Sequence, residues 1–143
     1  MSTRRRLLGG MALALLPGRG WAEGGAIEAA VAAAIGDVEP VEGGIELRLP
    51  ALAENGAQVP LSVLVDSPMT ENDHVTAVHV FATANPTPGV ASFHLFPGLA
   101  RAEIQTRIRV AEAQSIIVLA RHSDGRVQRT SARMTVTRGG CLS

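Results

Sequence analysis

The stretch Ser115-Ile-Ile-Val-Leu-Ala-Arg-His122, followed by Ser123-Asp-Gly125 and a β-rich run over 126–137, decides the fold of this chain. Its four consecutive apolar residues, Ile116 to Leu119, are typical of a strand that is buried on both faces. Ser-Asp-Gly is a strong hairpin turn. The sequence therefore predicts a strand over 115–122 that returns as a second strand over 126–137.

Five further strands are predicted upstream, because turn residues interrupt short β-rich runs. They are expected at 45–49, 59–65, 74–83, 90–96 and 102–110. No helical pattern separates them to serve as a crossover. Seven strands at roughly 10–15-residue spacing predict an all-β fold, an immunoglobulin-like antiparallel β-sandwich over 43–137. A short helix is predicted at Ala26–Ile35 with Gly36 as its stop, so 23–42 form an N-terminal helix and lead-in.

The predicted strand at 74–83 is apolar on both faces. Val78 and Val80 alternate with Ala77, His79 and Phe81, which leaves no side for water. Two explanations remain open: the strand is central in the sandwich, or a second subunit covers it.

Residues 1–22 are predicted to be a signal peptide that is removed from the mature protein. Arg4, Arg5 and Arg6 precede a short apolar run, and Gly20-Trp-Ala22 supplies small residues for a signal peptidase. The apolar run is too short to span a bilayer as a helix. The start fits a twin-arginine signal, and an ordinary Sec signal with an Arg-rich start is the alternative. Both predict export to the periplasm.

The charge of the mature chain differs from that of the full sequence. Four of the 13 basic residues lie in the signal peptide, whereas all 13 acidic residues follow it, which leaves a net charge of −4. A mildly acidic surface argues against a nucleic acid partner, because phosphate neutralisation requires a basic face. We also expect no membrane anchor after the signal peptide.

The sequence contains one cysteine, Cys141, within Arg138-Gly-Gly-Cys-Leu-Ser143. In an oxidising compartment a lone cysteine indicates either pairing between chains or a free, reactive thiol. Gly139 and Gly140 remove the side chains that would restrict the backbone. Residues 138–143 are therefore predicted to form a flexible arm that inserts the thiol into a pocket of another protein. A disulfide-linked dimer, with the chain acting as an interaction module, is the alternative.

The sequence predicts no base that would activate this thiol. An unperturbed cysteine thiol has a pKa of about 8.5, so only a small fraction is thiolate at neutral pH. The histidine nearest in sequence is His122, whose direction the pattern does not give. We therefore expect a carrier without catalytic residues or a cofactor, on which other proteins perform the chemistry.

Other polar residues have ordinary structural explanations. The four histidines are possible metal ligands, but Cys141 lacks the rigid histidine-lined loop of a copper site, so no metal is expected. His79 and His94 are expected at packed or edge positions of strands. The acidic residues between Asp66 and Asp73 are expected to shape a turn. Four arginines are candidates for a face that attracts anions, but they are expected mainly on the solvated sides of strands. They are Arg101, Arg107, Arg109 and Arg121.

Several stretches of the chain resemble the SoxY family, the sulfur-carrying subunit of the periplasmic thiosulfate-oxidation system. They are Ser67-Pro-Met-Thr-Glu-Asn-Asp73, Val78-His-Val-Phe-Ala82 with Asn85-Pro86, Val90-Ala-Ser-Phe-His94, Arg101-Ala-Glu-Ile-Gln-Thr-Arg-Ile-Arg109, Ser123-Asp-Gly125 and Val136-Thr-Arg-Gly-Gly-Cys141. The similarity spans nearly all of the mature chain in order.

The resemblance implies an immunoglobulin-like sandwich that pairs with a second small β protein, SoxZ. It also implies that thiosulfate-derived sulfur species are held covalently on Cys141, with Gly139 and Gly140 as the first half of a swinging arm offered to sulfur-oxidising enzymes. The sequence departs from the family after the cysteine, where Leu142 and Ser143 replace two glycines.

Overall fold

The computed structural model describes residues 22–137. The elements are α1 (Ala22–Ile35), β1 (Val41–Glu42), β2 (Ile45–Arg48), β3 (Leu52–Ala53), β4 (Val59–Val65), β5 (Val75–Ala82), β6 (Gly89–His94), β7 (Ala102–Ile108), β8 (Gln114–His122) and β9 (Val127–Val136). Residues 1–21 and 138–143 lie outside the described residues. The signal-peptide boundary and the arm therefore stay predictions.

The predicted N-terminal helix is present and starts four residues earlier than expected, at Ala22. It ends where the sequence indicates. Gly36 has a positive φ of 69°, and its N–H donates to the carbonyl oxygen of Ala32 at 2.8 Å, which closes the last turn. Within 22–137, no helix has the length and apolarity that crossing a bilayer requires.

The strands form two sheets. The larger sheet has the order β1-β9-β8-β5-β6, with β3 also paired to β9, and the smaller sheet has the order β2-β4-β7. All seven predicted strands are present and pair antiparallel with one another. This arrangement confirms the immunoglobulin-like sandwich.

Two strands were not predicted. β1 and β3 have two residues each and run parallel to β9, so the larger sheet is not purely antiparallel. The prediction of about seven strands therefore falls short of the nine in the described part of the chain. Segments of two residues have no periodicity of their own, and only the nearby edge of β9 makes them strands.

Aliphatic side chains fill the space between the two sheets. The strands of the smaller sheet present alternate residues to this core, as do the inner faces of β5 and β8, where Val78, Val80, Ile116 and Val118 are fully buried. The core is aliphatic, as the low aromatic content of the sequence requires.

A second cluster lies on the opposite, outer face of the larger sheet. Phe81 of β5 and Ile117 and Leu119 of β8 are buried there against α1, which contributes Ile35 and the partly buried Val31. β5 is thus central in its sheet, and its own helix covers part of its outer face. The sequence left two explanations for a strand that is apolar on both faces: a central position, or cover by a second subunit. On the outer face, Phe81 is covered by α1 of the same chain.

Arg121 departs from its expected position on a solvated side of a strand. It is partly buried, and its Nη2 donates to the carbonyl oxygen of Ile35 at 2.8 Å. The last carbonyls of a helix lack partners within the helix and carry partial negative charge, so a guanidinium is favourable there. Arg121 therefore fastens the C-terminal end of α1 to β8.

We expect Arg121→Ala to lower the free energy of unfolding by about 1–2 kcal/mol, because the charged hydrogen bond to the helix end is lost. Urea unfolding followed by circular dichroism measures the change. Arg107→Ala is the matched control, since Arg107 is exposed and bonds only to the side chain of Gln58 among the described residues. Equal effects of the two substitutions would show that Arg121 does not hold α1.

Candidate functional site

The predicted arm begins where β9 ends, and the structure fixes this point. The N–H of Thr135 donates to the carbonyl of Ala51 at 2.8 Å, and that of Thr137 donates to Ala53 at 3.0 Å. The hydroxyl of Thr137 also donates to the carbonyl of Glu54 at 3.0 Å. Backbone and side chain together hold Thr137, the last described residue, at a defined position on the sandwich.

Gln114 organises the loops near the end of β9. It is 2% exposed and lies opposite Met134 in the β8–β9 ladder. Its Oε1 accepts from the N–H of Ala84 at 2.7 Å, and its Nε2 donates to Oδ1 of Asn85 at 2.8 Å and to the carbonyl of Glu112 at 3.0 Å.

Asn85 extends this network to a third segment. Its Nδ2 donates to the carbonyl of Arg109 at 2.8 Å, and its Oδ1 also accepts from the N–H of Ala111 at 3.0 Å. The loops after β5 and after β7 are thereby tied to the start of β8. Each oxygen and nitrogen of the two amide side chains has at least one partner, which favours a rigid network at this partly buried position.

A groove lies at the end of β2, next to β4 and β7. It has a volume of about 610 Å³ and is lined by Leu49, Pro50 and Pro60 between the side chains of Arg48 and Arg107. Pro50 precedes Ala51, the residue that bonds to β9. Arg48 is paired with Glu46 at 2.8 Å, whereas Nη1 of Arg107 donates to the neutral amide of Gln58 at 3.0 Å. Arg107 therefore keeps a positive charge at this groove.

The histidines are not brought together in a ligand set. His79 is buried, and its Nδ1 lies 2.8 Å from Oγ of Ser92, while His94 is exposed on β6. Nε2 of His122 is 2.7 Å from Oε1 of Gln128. Among residues 22–137 there is no group of three or more His, Cys, Asp or Glu that could hold a metal ion.

The acidic loop between β4 and β5 is a turn, as expected. Its shape depends on Ser67, whose Oγ accepts from the N–H of Met69 at 3.2 Å, and on reciprocal backbone bonds between Thr70 and Asp73. Met69 has a positive φ of 54°, and its side chain is buried in the core. The loop is thus explained by its turn geometry and by the anchoring of Met69.

Sequence reasoning placed the chemistry on Cys141, Gly139 and Gly140, which lie outside the described residues and stay predictions. It missed Gln114, Asn85 and Thr137, whose hydrogen bonds hold the loops and the strand end just before the predicted arm. A glutamine at the start of an otherwise apolar strand was a weak signal, and its partners lie 29 and 30 residues away in the sequence.

The fold and the anchored end of β9 define an immunoglobulin-like β-sandwich domain, and in the sequence its last strand is followed by the segment with the lone cysteine. The family described as "Sulfur oxidation protein SoxY" matches residues 31–141. The chain belongs to the SoxY family. SoxY proteins are sulfur carriers, which confirms the expectation of a carrier rather than an enzyme.

A solved structure supports this assignment. The sulfur carrier protein SoxY from Chlorobium limicola f thiosulfatophilum is 30% identical, with a TM-score of 0.67, and the match covers 80% of this chain and 98% of that one. No curated protein sequence matches the chain.

More distant structures share the fold alone. Superoxide reductase (neelaredoxin) from Ignicoccus hospitalis is 9% identical with a TM-score of 0.58, covering 66% of this chain and 80% of that one. A putative superoxide reductase from Thermotoga maritima is 16% identical with a TM-score of 0.57, covering 68% and 87%. Such low identities carry no function to this chain.

We expect Gln114→Leu to lower the free energy of unfolding by about 1–3 kcal/mol, because the N–H of Ala84 and the amide of Asn85 lose a buried partner. Gln105→Leu is the control, since Gln105 is exposed on β7. Urea unfolding measures both. A similar stability for the two variants would mean that the network does not brace this end of the sandwich.

Stability is also expected to fall in mild acid because of His79. Burial lowers the pKa of His79, and the positive charges of His94 and Arg121 lower it further. The folded chain therefore binds this proton less readily than the unfolded chain, in which the pKa is about 6.5. The stabilising contribution is complete above pH of about 6.5 and is lost as the pH falls below that value toward the folded pKa.

Urea unfolding above and below a pH of about 6.5 measures this loss of stability. His79→Gln should reduce the loss of stability on acidification, whereas His74→Gln, at a partly exposed loop position, should not. An identical pH dependence of the wild-type chain and His79→Gln would refute the role of His79.

Proposed function

We propose that this protein is a periplasmic carrier that holds sulfur intermediates covalently on Cys141 and presents them, on a swinging C-terminal arm, to partner enzymes. One observation carries the proposal: the SoxY family match runs through to residue 141, which is the only cysteine of the chain. The fixed exit at Thr137 supports it, because an arm needs a firm base.

The reach of the arm follows from its length. Cys141 is four residues beyond Thr137, and an extended chain spans about 3.3–3.6 Å per residue, so the sulfur can reach roughly 13–15 Å from the sandwich. Gly139 and Gly140 allow the backbone to bend at the base of the arm. That distance suffices to enter a pocket of a docked enzyme without movement of the domain.

The chemistry requires an external oxidant. Joining the thiol of Cys141 to the sulfane sulfur of thiosulfate forms one S–S bond and releases the thiol proton and two electrons. A redox partner enzyme must accept the electrons. The product is an anionic thiosulfonate.

Two further parts of the proposal come from the family and from the signal peptide. The carrier works as a complex with a SoxZ-like β subunit and with sulfur-oxidising enzymes. It reaches the periplasm through the signal predicted at 1–22. A twin-arginine route, which transports folded proteins, would let the chain cross already bound to a partner that has no signal of its own.

Mass spectrometry of the protein isolated from thiosulfate-oxidising cells tests the carrier. Adducts of sulfane or thiosulfonate size are expected on Cys141 and should be absent from Cys141→Ser, which should also abolish thiosulfate oxidation. Ser143→Ala is the matched control, because it alters the arm and keeps the thiol. An unmodified thiol during active turnover would contradict the proposal.

Cells that carry the wild-type chain or Cys141→Ser also distinguish the carrier from the alternative function. The alternative is a periplasmic interaction module whose Cys141 forms an intermolecular disulfide. That function predicts a dimer that reducing agents dissociate and little effect of Cys141→Ser on sulfur oxidation. Loss of oxidation without a reducible dimer favours the carrier.

A further inference from the structure

The outer face of the larger sheet carries positive charge without an acidic partner on the same strands. β6, β5 and β8 together contain one residue that is Asp, Glu, Lys or Arg, and that residue is Arg121 on β8. Two histidines, His79 on β5 and His94 on β6, lie on the same face as Arg121. No carboxylate of these three strands is therefore available to neutralise Arg121.

The register of the strands brings these side chains into two neighbouring rows. In one row Arg121 lies opposite Ala77, and Ala77 lies opposite His94 on its other side. In the next row His79 lies opposite Ser92. Residues directly opposite each other, and residues two positions apart along a strand, point to the same face of a sheet. The four polar side chains therefore lie around Ala77.

Ala77 keeps the centre of this cluster open to a ligand. Neighbouring strands are about 4.8 Å apart, so the backbones at Arg121 and His94 are roughly 10 Å apart across β5. The methyl group of Ala77 is buried and too short to fill the interval between the two longer side chains. A tetrahedral oxyanion above this methyl group has the size to bridge a guanidinium and an imidazole at that separation.

Arg121 keeps its charge and an unused donor. Its Nη2 donates to a neutral group, the carbonyl oxygen of Ile35. Its Nε is shielded from water and has no hydrogen-bond partner in the described structure. The ion pairs among the described residues join other side chains, and Asp37, which follows the helix end, is not in them. A shielded donor of this kind is stabilised by an acceptor placed beside it.

His79 adds a second cationic group, and Ser92 holds it in place. Nδ1 of His79 lies 2.8 Å from Oγ of Ser92, which fixes the plane of the ring and leaves Nε2 for another partner. Burial lowers the pKa of His79, and the positive charges of His94 and Arg121 lower it further. The cationic groups therefore repel one another, and their strands hold no carboxylate to offset the repulsion. An anion among them offsets it.

We propose that Arg121, His94 and His79 form a binding site for a small inorganic oxyanion on the outer face of the larger sheet. Guanidinium and imidazole N–H groups are suited to the oxygen acceptors of such an ion, and charge-assisted bonds of this kind are strong. A metal cation is disfavoured, because Arg121 is always positively charged. A doubly charged ion is favoured over chloride, since it balances more than one of the cationic groups.

The site is independent of the proposed carrier function. β6, β5 and β8 bear it, whereas the predicted arm with Cys141 follows β9. Sulfate and thiosulfate are suitable probes because both are tetrahedral, doubly charged oxyanions. A failure to bind them would leave the carrier proposal untouched, and an absence of adducts on Cys141 would leave this site untouched.

Titration of the mature Cys141→Ser chain with sodium sulfate, followed by the imidazole resonances in NMR spectra, tests the site. The ionic strength is held constant with sodium chloride, at a pH of about 6, below the unperturbed pKa of histidine of about 6.5. Saturable shifts of the His79 and His94 resonances are expected, with a dissociation constant on the order of 1 mM. Thiosulfate should give the same result.

His94→Gln tests the contribution of a single cationic group. His94 is exposed on the edge strand, so its replacement should leave the fold intact. The dissociation constant for sulfate should rise about fivefold or more. His74→Gln is the matched control, since His74 lies in the loop before β5, away from the cluster, and should leave the constant unchanged.

The pKa of His79 gives a second readout that needs no substitution. A bound anion stabilises the protonated imidazole, so saturating sulfate should raise the pKa of His79 toward its ordinary value, relative to chloride at equal ionic strength. The loss of stability in mild acid that is assigned to His79 should then become smaller in sulfate.

The proposal is overturned by shifts in sulfate that are no larger than those in chloride, by an unchanged dissociation constant for His94→Gln, or by an unaltered pKa of His79 in sulfate. Sodium acetate distinguishes the inorganic ion from a carboxylate. If acetate saturates the same resonances and sulfate does not, the cluster recognises a carboxylate and the inorganic oxyanion is wrong.

Discussion

The burial of β8 on both faces is the constraint on which the rest of the structure depends. Its inner side chains, such as Ile116 and Val118, fill the space between the sheets, while Ile117 and Leu119 on its outer face lie beneath α1. A strand buried in this way requires a sheet neighbour on each side, because its backbone groups have no access to water. β5 and β9 meet that requirement, and the positions of both follow from it.

The path of β9 connects this packing to the candidate site. β9 is held in register with β8 over eight residue pairs, from Arg121 opposite Val127 to Gln114 opposite Met134. A slip of one residue would turn Met134 out of the core and expose it, so the register is strongly specified. The same register places Thr137, the last described residue, against β3. Core packing thus determines where the cysteine-bearing segment begins.

The long elements could be predicted from the sequence because their signals are local. The alternation of Ile45 and Leu47 with charged residues and the turn at Ser123-Asp-Gly125 each specify their own segment. β1 and β3 could not be predicted, since pairing with β9, about 80 residues away in sequence, makes them strands. Arg121 was misassigned for the same reason: its partner is the carbonyl of Ile35, 86 residues earlier.

The same distinction between local signals and contacts distant in sequence applies to the candidate site. Cys141 could be predicted as the attachment site because a lone cysteine after two glycines is a local pattern that is recognised without any folded contact, and its role stays a prediction. The base of the arm was not visible, because Gln114 acts through Ala84 and Asn85 from another loop. A carrier of this kind needs both parts for different physical reasons. In the function proposed above, the thiol of Cys141 moves to deliver its cargo, whereas the strand that bears the arm stays fixed so that the short arm reaches the same point in every partner. The network at Gln114 resists local opening where β9 ends, and an arm of six residues has too little length to compensate for a shift of the strand that bears it.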